Sequence, residues 1–371
     1  MSSMAIDRRM LLAGGAASLV STPLALPSAG RAQSQMRFAA AARARDGSYQ
    51  VVLLNAEGAF ERIVPLDGRG HDVAVSPDAR VAVAVARRPG DFAVVIDLVG
   101  DRAPRIFTAP EGRHFYGHGV FSPDGRLLFA TENDYEAARG VLGVYDVAAG
   151  FRRTGELSTH GVGPHEVLMM PDGKTLCIAN GGIETHPDAG RAKLNLDTMQ
   201  PSLAFIDSQT GDLKAQHALG KALHKLSLRH MCCEASGHVW FGGQWEGNTE
   251  ATPWLVGRVG IDSPITMPEP RAVSGRDLKG YIGSMASSSD GRIIAASAPR
   301  AGRIIYFDAG TATVVGERRL ADACGIAPAG DAGMAITTGE GIFEVAAPAG
   351  AVDHASRTDG LAFDNHLRRF G

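Results

Sequence analysis

A short phrase that recurs along the chain constrains this sequence more than any other feature. Residues 71–78 read HDVAVSPD, 118–125 read HGVFSPDG and 165–173 read HEVLMMPDG. Residues 230–237 (HMCCEASG), 282–291 (IGSMASSSDG) and 323–330 (ACGIAPAG) are looser copies. Each is followed by an apolar segment such as ARVAVAVA, RLLFATE or KTLCIANG, and several of these by another that ends near an Asp, such as FAVVIDL or GVLGVYDV. Proline presets φ and glycine supplies positive φ at the intervening turn, so each unit reads as an inner strand, a turn and two further strands. The copies begin 41 to 65 residues apart, close to the ~40–50 residues of a propeller blade.

Six copies are visible, and a seventh blade closes the ring. LAFDNHLRRF (361–370) would be its inner part, with MRFAAAARA (36–44) and YQVVLLNAEG (49–58) outside it. Pairing the two chain ends in this way removes exposed sheet edges. The expected fold is therefore an all-β, seven-bladed β-propeller closed by N- and C-terminal strands, occupying residues 33–371. Rings of six or eight blades stay open on the repeat alone. A β-sandwich would not repeat one turn signature so often, and a β-helix would use a shorter period. The 46 glycines and 19 prolines suit many short strands joined by turns.

Residues 1–32 read as a removable export signal. Arg8–Arg9 precede a short, moderately apolar stretch, and Gly30-Arg31-Ala32 places small residues where a signal peptidase cuts. The arginine pair points to the twin-arginine route and hence to the periplasm. Asp7 stands where Ser or Thr is commoner. Beyond residue 32 no apolar run approaches the ~18 residues of a membrane span. A net charge of −3 without a Lys/Arg-rich patch argues against nucleic acid. Cys177, Cys232, Cys233 and Cys324 show no CxxC spacing and read as small apolar residues within strands, with a bridge such as Cys177–Cys324 as the lesser alternative.

Two stretches interrupt the rhythm between a second and a third strand: 183–201, carrying His186, Lys193 and Asp197, and 244–254. Both should project from one face of the ring, and long loops in compact folds are usually functional or mobile.

The histidines carry the chemical signal. His71 and His165 lie six residues before the turn proline, and His118 and His230 match the position one residue later. The start of an innermost strand lies at the mouth of the central channel, so the repeat should gather these side chains there. His114, Tyr116, Glu166, Arg229, Asn365 and His366 would join them. In one reading several imidazoles, with His118, His165 and His230 foremost, converge on a transition metal or an oxyanion, and Glu166 or Asp72 adds a carboxylate. In the other, each histidine hydrogen-bonds a neighbouring strand and ties the blades together. There is no HExxH, nucleophile elbow, P-loop, dinucleotide fingerprint or CxxCH haem site. Tyr116, Trp240, Trp245 and Trp254 fit blade-core packing better than a pocket lining.

Arg8–Arg9, FYGHGVFSPDGRLLFATEND (115–134), GPHEVLMMPDGKTLCIANGGI (163–183), LRHM (228–231) and the terminal DNH (364–366) resemble the domain-of-unknown-function 1513 family over nearly the whole mature chain. Phe363 precedes Asp364 where that pattern leads one to expect Trp. The resemblance implies a seven-bladed propeller similar to the β-chain of quinoprotein amine dehydrogenases. It also implies imelysin-type and dihaem peroxidase-like neighbours, hence periplasmic protein partners and iron handling. It carries over no catalytic residues. The leading expectation is a periplasmic binding or scaffold protein with a histidine-rich channel mouth. The alternatives are a lactonase-like hydrolase, with His165 and Glu166 assisting water attack near Arg229, and a propeller that serves a redox partner.

Overall fold

The computed structural model describes residues 36–371 other than Arg191, Arg271, Ala272 and Ala349. The twin-arginine signal expected in residues 1–32 lies outside the described residues. Seven antiparallel sheets form the ring. Six of them consist of four sequential strands; blade I, for example, runs Gly70–Val75, Val81–Ala86, Phe92–Asp97 and Arg105–Thr108. The innermost strands of blades II to VI are Arg113–Phe121, Pro164–Met169, Leu226–Cys233, Ser284–Ser287 and Ala323–Ala329.

Blade VII joins the two chain ends. Arg37–Arg43 is flanked on one side by Tyr49–Leu54 and on the other by Ala362–Phe363 and Arg368–Phe370. Between the last two segments, residues 364–367 leave the sheet and enter the ring centre. Phe60–Leu66 forms the outer edge of this blade.

The repeated turn holds each inner hairpin. Ser76 donates to Asp78 (2.7 Å), and the same carboxylate accepts from the Arg80 amide (3.1 Å). Ser122 with Asp124 and Ser288 with Asp290 repeat the contact at 2.6 Å. Cores lie between adjacent blades: Trp240 and Phe241 of blade IV pack with Phe205 of blade III and Phe307 of blade V. Each such fully buried side chain contributes about 1.5–3 kcal/mol. Trp254 joins this core, Trp245 is half-buried against it and Tyr116 faces the channel. All four cysteines are free thiols; Cys177, Cys232 and Cys324 are buried. No helix among the described residues is long and apolar enough to cross a membrane.

Candidate metal centre in the channel

Strand irregularity builds the site. In blade I, Gly70 pairs with Ala86 and Asp72 with Val85, which leaves His71 as an extra residue. Blade III does the same around His165, and blade IV around Arg229. In blade II the three residues Tyr116, Gly117 and His118 span the single residue Thr131. A bulge re-aims a side chain that the ladder would otherwise fix. His71, Tyr116, His165 and Arg229, all within these bulges, line one cavity at the mouth of the channel. His118 and His230, one residue later in the repeat, are fully buried and do not reach that cavity. The one-residue offset between the two histidine pairs thus separates two tiers. Gly117 is required here: its φ is +110°, and a Cβ would lie 2.6 Å from the His71 ring.

The C-terminal segment supplies a fifth imidazole, His366. Ring centroids of His71, His118, His165, His230 and His366 lie 4.6 to 6.4 Å apart in nine pairs. In two triads, His71–His118–His366 and His118–His165–His230, the candidate ligand nitrogens all lie within 4.8 Å of one another. The five rings come from blades I, II, III, IV and VII.

The surrounding groups orient these rings. His71 Nδ1 lies 2.8 Å from Asp364, and His118 Nδ1 lies 3.0 Å from Asp72. A carboxylate on one ring nitrogen fixes the tautomer and presents the other nitrogen as a ligand. His118 Nε2, His165 Nδ1, His366 Nε2 and both nitrogens of His230 are buried without a hydrogen-bond partner. Buried polar atoms are nearly always partnered, so this concentration calls for an explanation. The bonds to Asp72 and Asp364 tie neighbouring elements together on one side of two rings, and the nitrogens that face the centre are left over.

Burial lowers the pKa of His71 to about 4. It drives His165, His230 and His366 well below the usual imidazole range, with neighbouring positive charge adding to the effect. These rings are neutral at pH 7 and keep their lone pairs. Burial opposes ionisation of Asp72 and Asp364, but Arg368 and His118 outweigh it at Asp72, and His71, Arg87 and Arg69 outweigh it at Asp364. Both carboxyls are held well below their ordinary range.

Other candidate residues sit elsewhere. His114 packs on Tyr116 and contacts Asn133 (3.0 Å), apart from the five rings. Asn365 donates to the Tyr281 hydroxyl at the channel mouth. Glu166 accepts from the Met231 amide (2.7 Å) and from Arg368 (2.8 Å), so it is committed to an ion pair instead of standing free as a base beside His165. Arg87, Arg88, Tyr281, Arg300 and Arg368 belong to the site although the repeat does not mark them. Arg87-Arg88-Pro89-Gly90, at the channel end of an apolar strand, was the available signal for two of them. The two long insertions meet on this face, where Lys193 pairs with Glu246 and Lys225 with Asp197 (2.7 Å).

Similar structures confirm the architecture. The Kuenenia stuttgartiensis hydrazine synthase matches with a TM-score of 0.61 at 15% identity, covering 86% of this chain and 94% of the other. The Cps50 (Swd1) β-propeller domain of Myceliophteria thermophila gives 0.58 at 12% identity, covering 81% and 93%. BamB from Moraxella catarrhalis gives 0.52 at 11% identity, covering 87% and 89%. At these identities the likeness establishes the fold alone. No curated relative matches the chain. A family model described as a protein of unknown function, DUF1513, matches residues 64–370, a span that includes every histidine of the cluster, and the chain belongs to that family.

Proposed function

We propose that this protein is a periplasmic metal-binding propeller, in which His71, His118, His165, His230 and His366 hold a first-row transition ion as part of an iron-handling system. The observation that carries the reading is the set of buried imidazole nitrogens with no partner in the ring centre. Imidazole suits Fe, Cu, Ni and Zn, whereas thiolates, which would favour softer ions, are absent from the cluster. The ring supplies a rigid frame, because four donors sit on the inner strands of four different sheets and the fifth, His366, on the short segment between two strands of blade VII. The export route and the iron assignment rest on Arg8–Arg9 and on the family's expected neighbours.

Elemental analysis of the protein purified from the exported compartment tests this. The expected result is close to one metal ion per chain, iron in cells replete with it, and loss of that metal in the His118→Ala/His165→Ala double variant. A folded protein that contains no metal and takes up neither Fe(II), Zn(II) nor Cu(II) overturns it.

A further inference from the structure

The cavity that His71 and His165 line shares Arg87, Arg88, Arg229 and Tyr281 with a second one, of about 420 Å³, whose wall also carries Arg69, Lys193, Arg300 and Asn365. Its wall is over-supplied with positive charge. Asp364 serves Arg69 (2.7 Å) and Arg87 (3.1 Å), and Glu246 serves Lys193 and Arg229 (3.3 Å). Asp322 also lines it, so six cations face three carboxylates. Arg88 and Arg300 have no carboxylate within ion-pair distance among the described residues. Arg300 lies over the Tyr281 ring instead, 4.7 Å from its centroid. Burial pulls the pKa of Arg88 downward, a sign of charge held with too little solvation.

We propose that this vestibule binds a small polycarboxylate, held by the guanidinium groups at its rim and directed towards the histidine centre at its floor. The volume falls within the range of small-molecule sites. Guanidinium forks match carboxylates in bidentate fashion, and several forks spread around one wall favour an anion with several carboxylates over a single compact one. The floor reinforces this choice. Asp72, Glu166 and Asp364 are already balanced by Arg368, Arg69 and Arg87. Imidazole binds a metal as an uncharged ligand, so a divalent ion held by these rings would lack a counter-charge, and a ligand carboxylate reaching down from the vestibule supplies one. That last contact rests on the metal reading; binding at the rim does not.

Calorimetric titration with citrate, acetate and inorganic phosphate, on metal-free and metal-loaded protein, separates the two. Citrate should bind metal-free protein, weaken by at least about tenfold in Arg88→Gln and in Arg300→Gln, and lose affinity steeply with salt. Arg300 is exposed, so its replacement does not threaten the fold. Citrate binding that survives in His118→Ala/His165→Ala protein upholds the vestibule whatever becomes of the metal. Absence of citrate binding in both forms, indifference to both arginine substitutions, or phosphate binding as tightly as citrate overturns the proposal. Metal retained without citrate binding overturns it as well and leaves the metal centre standing.

Discussion

Blades I to IV and blades V to VI present opposite surfaces to the channel. The first four turn His71, His118, His165, His230 and Arg229 inward from bulged inner strands. At corresponding places blades V and VI offer Gly283, Ser284 and Gly325. A Cβ on Gly325 would lie 2.9 Å from the Leu367 amide nitrogen and 3.0 Å from the His366 carbonyl carbon. The smallness of blade VI is what lets the C-terminal segment enter the ring and bring His366 and Arg368 to the centre. One half of the ring supplies donors and the other makes room for a donor from elsewhere. A repeat with equal blades would give a symmetric channel; unequal blades give a site.

The sharpest break in this comparison comes on the donor side. His118 belongs to both imidazole triads, so His118→Ala should weaken metal binding by more than about 100-fold, beyond the 10–100-fold typical of losing an outer-shell partner. Competition against a chelator of known affinity measures it, and near-wild-type affinity would dissociate His118 from the centre.

On the accommodating side, Gly325→Val should be the most destabilising single change. It places a β-branched side chain against the backbone of residues 366–367 and 2.4 Å from the Thr337 hydroxyl. Overpacking of this kind costs about 1–3 kcal/mol, and displacement of His366 should lower metal affinity as well. Thermal unfolding and metal titration together read both effects. A drop in stability with unchanged affinity would show that His366 is not a donor.

Asp364→Asn removes the charge that orients His71 and neutralises Arg69 and Arg87. Metal affinity should fall about 10–100-fold while the fold persists. Metal-free protein should also show the cost of burying imidazoles. The histidines titrate near 6.5 when unfolded and, for His71, near 4 when folded. Between those values the unfolded chain binds more protons, so stability falls as pH falls through that window. The slope is about 1.4 kcal/mol per pH unit for each histidine whose pKa burial lowers in this way. Denaturant unfolding at pH 7, 6 and 5 tests this, and stability independent of pH would mean that the rings are not desolvated. The smallest effect is expected at Ser284→Ala in blade V, with less than about 0.5 kcal/mol of stability lost and no change in metal affinity.

Much of the fold was legible because a propeller repeats its grammar. The Ser-Pro-Asp turn, the apolar second strand and the Asp that ends the third recur closely enough to count blades, and the chain ends fit the gap that remains. The histidines were legible as a set because the repeat places them on inner strands. Their one-residue offset was legible as well, but the two tiers it produces were not, since a bulge is a local register choice: His71 is the single extra residue of its bulge, and His118 is the last of three. Arg88, Arg300 and Tyr281 lie in strand ends and connections that each blade shapes for itself, so no periodicity points to them. The route taken by residues 364–367 was hidden for a related reason. It depends on what blades V and VI lack, and a missing side chain leaves only a glycine in the sequence, one of 46.

The most direct test of the centre is a crystal of metal-loaded protein measured at the absorption edge of the bound ion. The five-histidine centre predicts one anomalous peak within coordination distance of His118 and of at least two rings among His71, His165, His230 and His366. Full soaking with Fe(II) or Zn(II) that leaves no peak there, with the rings in place and the channel open, would contradict it.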